Sequence, residues 1–209
     1  MKKILLMLCG FISISNHAYA FCFEENCKPW IVAGAFGISS FPELNPHEFN
    51  SVGRLSVGRV LHTQTYWQLG IEAGVQNGST HRLEFPKEDI DALGGVPIDI
   101  ELSPMLDFLV SFRTETFQEI PVFTWLKAGV MYRQMKVDRP SVNNLNDFSP
   151  EIQAGFGYRI NEYATVNLGY QYIWGNKPSL TVNPVEETGV LQHIPSQQAL
   201  MLGFSFNFG

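Results

Sequence analysis

Apolar and polar residues alternate with a period of two along most of the chain. The pattern is clearest in residues 67–76, 126–133, 152–160 and 200–209. In each segment one set of alternate positions is apolar, and the other set is mostly polar or glycine. Because successive side chains of a β-strand point to opposite faces, each segment predicts a strand with one apolar and one polar face.

Four further segments fit the same pattern with more exceptions: residues 30–39, 52–61, 98–113 and 166–174. In the third of these, Pro104 cannot donate a hydrogen bond to a neighbouring strand, so we expect a bulge or local irregularity there. All eight predicted strands have about 10 residues, which is the length of a tilted transmembrane strand. The apolar stripe of the third segment is predicted to comprise Ile98, Ile100, Leu102, Leu106, Phe108, Val110 and Phe112.

The connections between the predicted strands alternate between long and short. The long ones are residues 40–51, 77–97, 134–149 and 175–196, and the short ones are 62–65, 114–120 and 161–163. Bacterial outer-membrane barrels have short periplasmic turns and longer extracellular loops on an even number of antiparallel strands. The sequence therefore predicts an all-β fold: an eight-stranded antiparallel up-and-down transmembrane β-barrel with both ends of the chain in the periplasm.

A soluble eight-stranded barrel is the main alternative, and it differs in which stripe faces inward. A soluble barrel of the lipocalin type places its apolar stripe around an internal cavity. Here the polar stripe is rich in glycine and small polar residues, which suits a narrow lumen. Large aromatic residues at the strand ends predict two membrane-interface girdles, formed by Trp30, Tyr66, Trp67, Tyr163 and Phe208 at the periplasmic rim and Tyr132, Tyr172 and Trp174 at the outer rim.

Composition excludes several other classes of protein. Charged residues make up 16% of the 209 residues and hydrophobic residues 45%, with a formal net charge of −6. Disordered chains combine low hydrophobicity with high charge, and a nucleic-acid partner requires a basic surface. No apolar run beyond the N-terminus approaches the roughly 20 residues of a transmembrane helix. The sequence thus predicts a protein with an apolar surface but without nucleic-acid binding.

The first 20 residues have the features of a cleaved export signal. A basic start with Lys2 and Lys3 precedes a short apolar core, and Ala18-Tyr19-Ala20 is a typical cleavage site. We expect the mature barrel domain to span residues 21–209, in a bacterial outer membrane. Cys22 and Cys27 then remain in the mature chain, where a pair this close in an exported protein favours a small disulfide loop over a metal site.

Residues 28–209 resemble the small outer-membrane β-barrels of the OmpA-like and opacity-protein-like type. The resemblance rests on the hairpin from Arg54–Arg59 into residues 67–74, on residues 155–159 and 168–172, and on the Phe-rich last strand. It implies a structural or surface-interaction role, such as adhesion or host contact, through four extracellular loops. It also implies contact with outer-membrane lipid and recognition of the last strand by the barrel-insertion machinery, although Gly209 follows the aromatic Phe208.

Seven charged residues fall on the predicted lumen stripe: Arg54, Glu72, Asp107, Lys127, Arg133, Glu151 and Arg159. A charge in a narrow lumen must be paired or solvated. Centring each hairpin turn predicts the cross-strand pairs Arg54–Glu72, Asp107–Lys127 and Arg133–Glu151. We interpret these pairs as a structural plug, and the alternative is a gate in a narrow, poorly conducting pore.

Nothing in the sequence identifies a catalytic centre. The mature histidines are His47, His62, His81 and His193, and His81 lies close in sequence to Ser79 and Glu84. No nucleophile elbow of the G-x-S-x-G type occurs. We therefore predict a monomeric protein that is not an enzyme and uses no cofactor or metal, with a lipid-modifying enzyme as the least supported alternative. The loops, rich in acids, amides and proline, are interpreted as solvated and do not identify a ligand.

Overall fold

The structure is a computed structural model that describes residues 29–83, 85–93, 95, 98–114, 120–183 and 185–208. Among these residues there is one short helix, α1 (Lys87–Ala92). The strands are β1 (Trp30–Phe41), β2 (Asn45–Thr63), β3 (Trp67–Gln76), β4 (Ser79–Leu83), β5 (Ile98–Leu102), β6 (Met105–Thr114), β7 (Val122–Val137), β8 (Leu145–Arg159), β9 (Ala164–Ile173), β10 (Ser179–Asn183), β11 (Thr188–Gln192) and β12 (Gln197–Phe208).

Eight of these strands form a closed antiparallel barrel. Their order is β1-β2-β3-β6-β7-β8-β9-β12, and β12 pairs again with β1. The first and last strands pair side by side along most of their lengths, from Trp30 opposite Phe208 to Ser40 opposite Gln198. The predicted all-β barrel is confirmed, with α1 as a small helical addition between β4 and β5. Within the described residues, no helix is long and apolar enough to cross a membrane.

The barrel is apolar outside and polar or tightly packed inside. Along β12, Leu200, Leu202, Phe204 and Phe206 are 37–49% exposed, whereas the alternate positions between them are buried. The same alternation runs through β6 and β7. A soluble barrel has its apolar side chains inside, around a cavity. Here the large apolar side chains form the outer surface, which is the arrangement of a membrane barrel. The exposed apolar belt is therefore the surface that faces lipid.

Several strands are longer than the sequence pattern predicts. Only residues 42–44 connect β1 to β2, where the prediction placed a loop over 40–51. Similarly, only residues 138–144 connect β7 to β8. The chain between β3 and β6 contains the hairpin β4–β5, and the chain between β9 and β12 contains the hairpin β10–β11. Where the strands extend beyond the membrane, neither face contacts lipid, so one face no longer has to be apolar and the other polar. The period-two pattern therefore fades there although backbone pairing continues.

The structure also corrects the predicted orientation of Ile98, Ile100 and Leu102. The prediction put these residues on the lipid-facing stripe, but they are 0%, 0% and 1% exposed. Leu102 lies opposite Met135, whereas Leu106 lies opposite Tyr132, so one extra residue is inserted between β5 and β6. This bulge is at Ser103 and Pro104, where an irregularity was expected. A one-residue bulge moves all preceding side chains to the other face.

The extracellular connections fold together over the end of the barrel. We call this unit the cap; it comprises residues 42–50, β4, α1, β5, residues 138–144 and the segment 175–196 that contains β10 and β11. Its core is formed by Phe41, Leu83, Leu93, Ile98, Ile100, Leu102, Met135, Val142, Leu191 and Ile194. Most of the acids and amides of these connections whose side chains are described are solvent-exposed, in agreement with the interpretation. The apolar residues of the same connections, however, share a hydrophobic core that was not predicted.

We expect Ile100→Ala to loosen the cap while leaving the barrel wall intact. Truncating a fully buried isoleucine costs about 2–5 kcal/mol, and here the cost falls on the cap. Tryptic cleavage in the cap, measured on the folded protein in detergent, should become faster. The matched control is Val110→Ala on the lipid-facing side of β6, where the side chain is 53% exposed. Equal cleavage rates in the two variants would place Ile100 outside the core.

Candidate functional site

A network of four charged side chains crosses the lumen. Arg54 Nη1 lies 2.6 Å from Glu72 Oε1, and its Nη2 and Nε lie 2.6 and 2.7 Å from the two oxygens of Asp107. Lys127 Nζ lies 2.7 Å from Glu72 Oε2. The network joins β2, β3, β6 and β7, and its charges balance. Fully paired, hydrogen-bonded charges of this kind can be tolerated in a narrow lumen.

Gly74 makes room for this network. A Cβ atom at this position would lie 2.6 Å from Arg54 Nη2 and 2.8 Å from Asp107 Oδ2. Any larger residue would therefore press on the bidentate contact between Arg54 and Asp107. Packing of the charged network therefore explains why a glycine occupies this position in the middle of β3.

The predicted charge pairs form only in part. The Arg54–Glu72 contact is present, although Glu72 faces Gly58 across the strands rather than Arg54. The predicted Asp107–Lys127 pair is wrong, because Asp107 binds Arg54 and Lys127 binds Glu72. The reason is register: in the β6–β7 pairing Asp107 lies opposite Met131 and Lys127 lies opposite Ser111, so the two residues do not face each other. Arg54 reaches its partners through the length of its side chain.

The predicted Arg133–Glu151 ion pair does not form either. Arg133 is fully buried and donates hydrogen bonds to Ser149 Oγ and to the carbonyl oxygens of Trp174 and Pro195. It therefore fastens the returning end of the last extracellular connection to the barrel. Glu151 Oε1 instead accepts hydrogen bonds from two glutamine side chains, Gln153 and Gln171, each at 2.6 Å.

The outer half of the lumen is filled by side chains. Met105, Met131 and Ile173 form one buried apolar cluster, and Val52, Ala199 and Met201 form a second. Gln76 and Asp107 are 0% exposed. Together with Arg133 and the cap, these layers seal the lumen on the extracellular side.

Two aromatic residues in the lumen, Phe123 and Trp125, were not predicted from the sequence pattern. Arg113 lies over the Phe123 ring, 4.8 Å from its centroid, and Lys127 Nζ lies 5.2 Å from the Trp125 centroid. The sequence does contain a signal for them, because Phe123, Trp125 and Lys127 are alternate residues of β7 and therefore share one face of the strand. Glycines opposite provide the space: a Cβ at Gly157 would lie 2.1 Å from Phe123.

The predicted girdle aromatics lie at the two ends of the wall. Trp30, Tyr66, Trp67, Tyr163 and Phe208 are at the end with the short turns, and Tyr132, Tyr172 and Trp174 are at the cap end. At the short-turn end, the Arg59 guanidinium lies 5.4 Å from the Trp30 ring centroid. At the cap end, Tyr172 packs against Trp174 with centroids 5.0 Å apart.

Ser79, His81 and Glu48 meet in the cap. His81 Nε2 lies 2.9 Å from Ser79 Oγ, and Nδ1 lies 3.8 Å from Glu48 Oε1. These residue types occur in hydrolytic triads, but the distance to Glu48 is beyond a hydrogen bond. His81 is only 4% exposed and packs edge-on against Phe41. Burial lowers the pKa of His81 below its ordinary value of 6.5, and Glu48 opposes this effect.

Some predicted features lie outside the described residues: the export signal, Cys22, Cys27 and Gly209. Glu84 is also among these, and the side chain of His47 is not described. In the part of the chain that the structure covers, no group of three or more His, Cys, Asp or Glu residues is placed to hold a metal ion. The lumen network and the cap are therefore the candidate functional features.

Comparison with solved structures identifies the fold. OprG, an outer membrane protein from Pseudomonas aeruginosa, superposes with a TM-score of 0.52 at 15% identity, over 87% of this chain and 96% of that one. Neisserial surface protein A superposes with a TM-score of 0.50 at 13% identity, over 86% and 97% of the two chains. The chain has the fold of the small outer-membrane β-barrels. No protein-family model matches the sequence, and no curated protein matches it significantly.

The physical character of this barrel agrees with the fold. Its outward apolar belt is bounded by aromatic residues, and its lumen carries paired charges. This combination is what a barrel in a bacterial outer membrane requires. We describe the short-turn end as periplasmic and the cap as extracellular because outer-membrane barrels have short periplasmic turns and longer extracellular loops.

We expect Arg54→Met to destabilise the barrel strongly. The substitution leaves Asp107 buried without its cation, and breaking a buried pair on one side costs about 3–5 kcal/mol. The urea midpoint of the refolded protein in detergent should fall, and adding Asp107→Asn should restore part of the loss. The matched control is Arg82→Met, which breaks the solvent-exposed Arg82–Asp99 pair and should change the midpoint less. Equal losses in the two arginine variants would contradict a stabilising role for the network.

We also expect the cap to loosen as the pH falls. The pKa of folded His81 lies below that of the unfolded chain, so protonation favours the open cap. Above about pH 6.5, the ordinary pKa of histidine, His81 does not reduce the stability of the cap. As the pH falls below this value, the free energy of opening the cap decreases. Hydrogen exchange in β4 and β5, corrected for intrinsic rates, should increase on acidification. The increase should shrink in His81→Gln and persist in His62→Gln; a wild-type increase that is unchanged in His81→Gln would exclude His81 as its source.

Proposed function

We propose that this integral outer-membrane protein acts at the cell surface, where its cap binds an external partner in an adhesive or host-contact role. The observation that carries the proposal is the hydrophobic core shared by the extracellular segments. Loops that merely join strands need no such core. A surface that is already ordered also loses less conformational entropy when it binds.

The β10–β11 hairpin offers a highly exposed part of the cap. Val185 at its tip is 91% exposed, and the neighbouring Glu186 and Glu187 are also exposed. An exposed aliphatic side chain flanked by two acids suits contact with a protein surface that combines apolar and basic groups. The tip is therefore the first place to test for partner binding.

Attachment of bacteria to cultured epithelial cells tests the proposal. A non-adherent host that displays the wild-type protein should attach more than the same host with an empty vector. Val185→Asp combined with Glu186→Lys should reduce that gain at equal surface abundance. The control is Glu162→Lys, which repeats the charge change of Glu186→Lys in the exposed periplasmic turn. Attachment at the empty-vector level for the wild type would contradict the proposal.

The alternative of a narrow, poorly conducting pore has less support. Opening it would require the lumen network, two apolar clusters and the Arg133 contacts to move together. We therefore expect planar bilayers that contain the purified barrel to show no stepwise conductance. A silent wild type that becomes conducting as Lys127→Ala or Asp107→Ala would instead favour a gate formed by salt bridges.

We also propose that the protein is a monomer and is not an enzyme. The Ser79–His81–Glu48 group is the strongest support for a lipid-modifying enzyme, and it lacks a hydrogen bond between His81 and Glu48. Incubation with lipid A and phospholipid, followed by mass spectrometry, should show no deacylated product. A product that disappears in Ser79→Ala would reverse this part of the proposal.

A further inference from the structure

One part of the lipid-facing wall carries a row of hydrogen-bonded polar side chains. Tyr170 donates its hydroxyl hydrogen to Gln198 Oε1 at 3.0 Å, and Gln198 Nε2 donates to Ser40 Oγ at 3.0 Å. We call this row the polar ladder; it joins the neighbouring strands β9, β12 and β1. Polar groups on a surface that faces lipid are costly unless they are hydrogen-bonded. The ladder satisfies this requirement within an otherwise apolar belt.

The polar ladder borders a shallow, open groove of about 180 Å³. We call it the wall groove and define it by the lining residues Ile38, Ser40, Phe49, Tyr170, Gln198 and Leu200. Its apolar members are well exposed, because Ile38, Leu200 and Phe49 are 50%, 49% and 63% accessible. The described residues that line the groove include no charged side chain. The groove therefore offers apolar surface and neutral hydrogen-bonding groups, without the cations that bind phosphate.

The register of the strands sets the depth of the polar ladder in the membrane. Gln198 lies opposite Ser40 on one side and opposite Tyr172 on the other. Tyr172 belongs to the aromatic girdle at the cap end, and girdle aromatics lie at the level of the lipid headgroups. The wall groove thus meets the outer leaflet where the acyl chains join their headgroup, which is where acyl carbonyl groups are found.

The polar ladder retains hydrogen-bonding capacity towards the groove. A carboxamide nitrogen has two hydrogens, and Ser40 accepts one of the two that Gln198 offers. A tyrosine hydroxyl can accept as well as donate, and Tyr170 directs its hydrogen to Gln198. Both side chains line the groove, and Tyr170 is 46% exposed. The ladder therefore presents one further donor and one further acceptor to a molecule in the groove.

We propose that the wall groove binds a 3-hydroxyacyl chain of an outer-leaflet glycolipid. The carbonyl oxygen of the chain accepts a hydrogen bond from Gln198 Nε2, and its 3-hydroxyl group donates one to the Tyr170 oxygen. The methylene groups pack against Ile38, Phe49 and Leu200. An ordinary acyl chain has the carbonyl group but lacks the hydroxyl donor. The proposal does not depend on a partner of the cap, because the ligand comes from the membrane.

Titrations followed by native mass spectrometry test the proposal on the purified protein in detergent micelles. The probe is a tetra-acyl lipid A precursor with four 3-hydroxytetradecanoyl chains. It is compared with a synthetic analogue that carries tetradecanoyl chains and with phosphatidylglycerol. The protein should retain one copy of the hydroxylated lipid. The analogue should bind about threefold to tenfold more weakly because one hydrogen bond is lost, and phosphatidylglycerol should bind no better than the analogue.

Two variants and a matched control locate the bound lipid. Gln198→Leu should weaken binding of the hydroxylated lipid about tenfold, because it disrupts both ladder contacts, and Tyr170→Phe should weaken it about threefold. Tyr158→Phe makes the same change on the lipid-facing side of β8 near the short-turn end, where Tyr158 is 52% exposed, and should leave the affinity unchanged. If Gln198→Leu does not refold, Phe49→Ser removes an apolar side of the groove and should also weaken binding.

Several results would overturn the proposal. The protein could retain no lipid, or it could bind the hydroxylated lipid and its analogue equally, which would show that apolar contact alone holds the chain. Phosphatidylglycerol bound as tightly as the hydroxylated lipid would indicate a general lipid contact. Finally, Tyr158→Phe could weaken binding as much as Tyr170→Phe does, which would place the lipid elsewhere on the wall.

Discussion

The contact of Arg54 with two carboxylates is the interaction on which the interior of this barrel depends. One guanidinium binds Asp107 through two nitrogens and Glu72 through a third, and Lys127 completes the balance of charge. Because the narrow lumen excludes most water at this depth, the charges are stable only when they are paired. The network thereby fixes four adjacent strands relative to one another. It also lies between the filled outer half of the lumen and a partly open cavity of about 100 Å³ in the periplasmic half.

The outer surface follows from a different constraint, which is the absence of hydrogen-bonding solvent in lipid. A closed barrel satisfies every backbone group in the wall, and alternating side chains then place apolar residues outward. Where the strands rise beyond the lipid, that constraint ends. The apolar residues Ile98, Ile100 and Leu102 turn inward there and build the cap core. The bulge at Pro104 marks the change between the two regimes.

The sequence allowed the fold to be predicted because period-two alternation directly reflects the two faces of a membrane strand. It also located the irregularity at Pro104. It did not predict the cap, because contacts such as Phe41 with His81 join segments whose association no local pattern encodes. Nor did it predict that Asp107 would bind Arg54 rather than Lys127. That choice depends on where each turn is centred and on the reach of long side chains. Phe123 and Trp125 could have been predicted by following the lumen-facing positions of β7 from Lys127 towards the start of the strand.

The chain forms a closed barrel embedded in an outer membrane, and the paired lumen charges keep its interior stable. Heat-modifiable migration on a gel tests it most directly. The membrane fraction of cells that produce the protein should give one band without boiling and a band of different mobility after boiling, because a closed barrel resists detergent until it is heated. A protein found in the soluble fraction, with the same mobility before and after boiling, would contradict the barrel and its membrane location together.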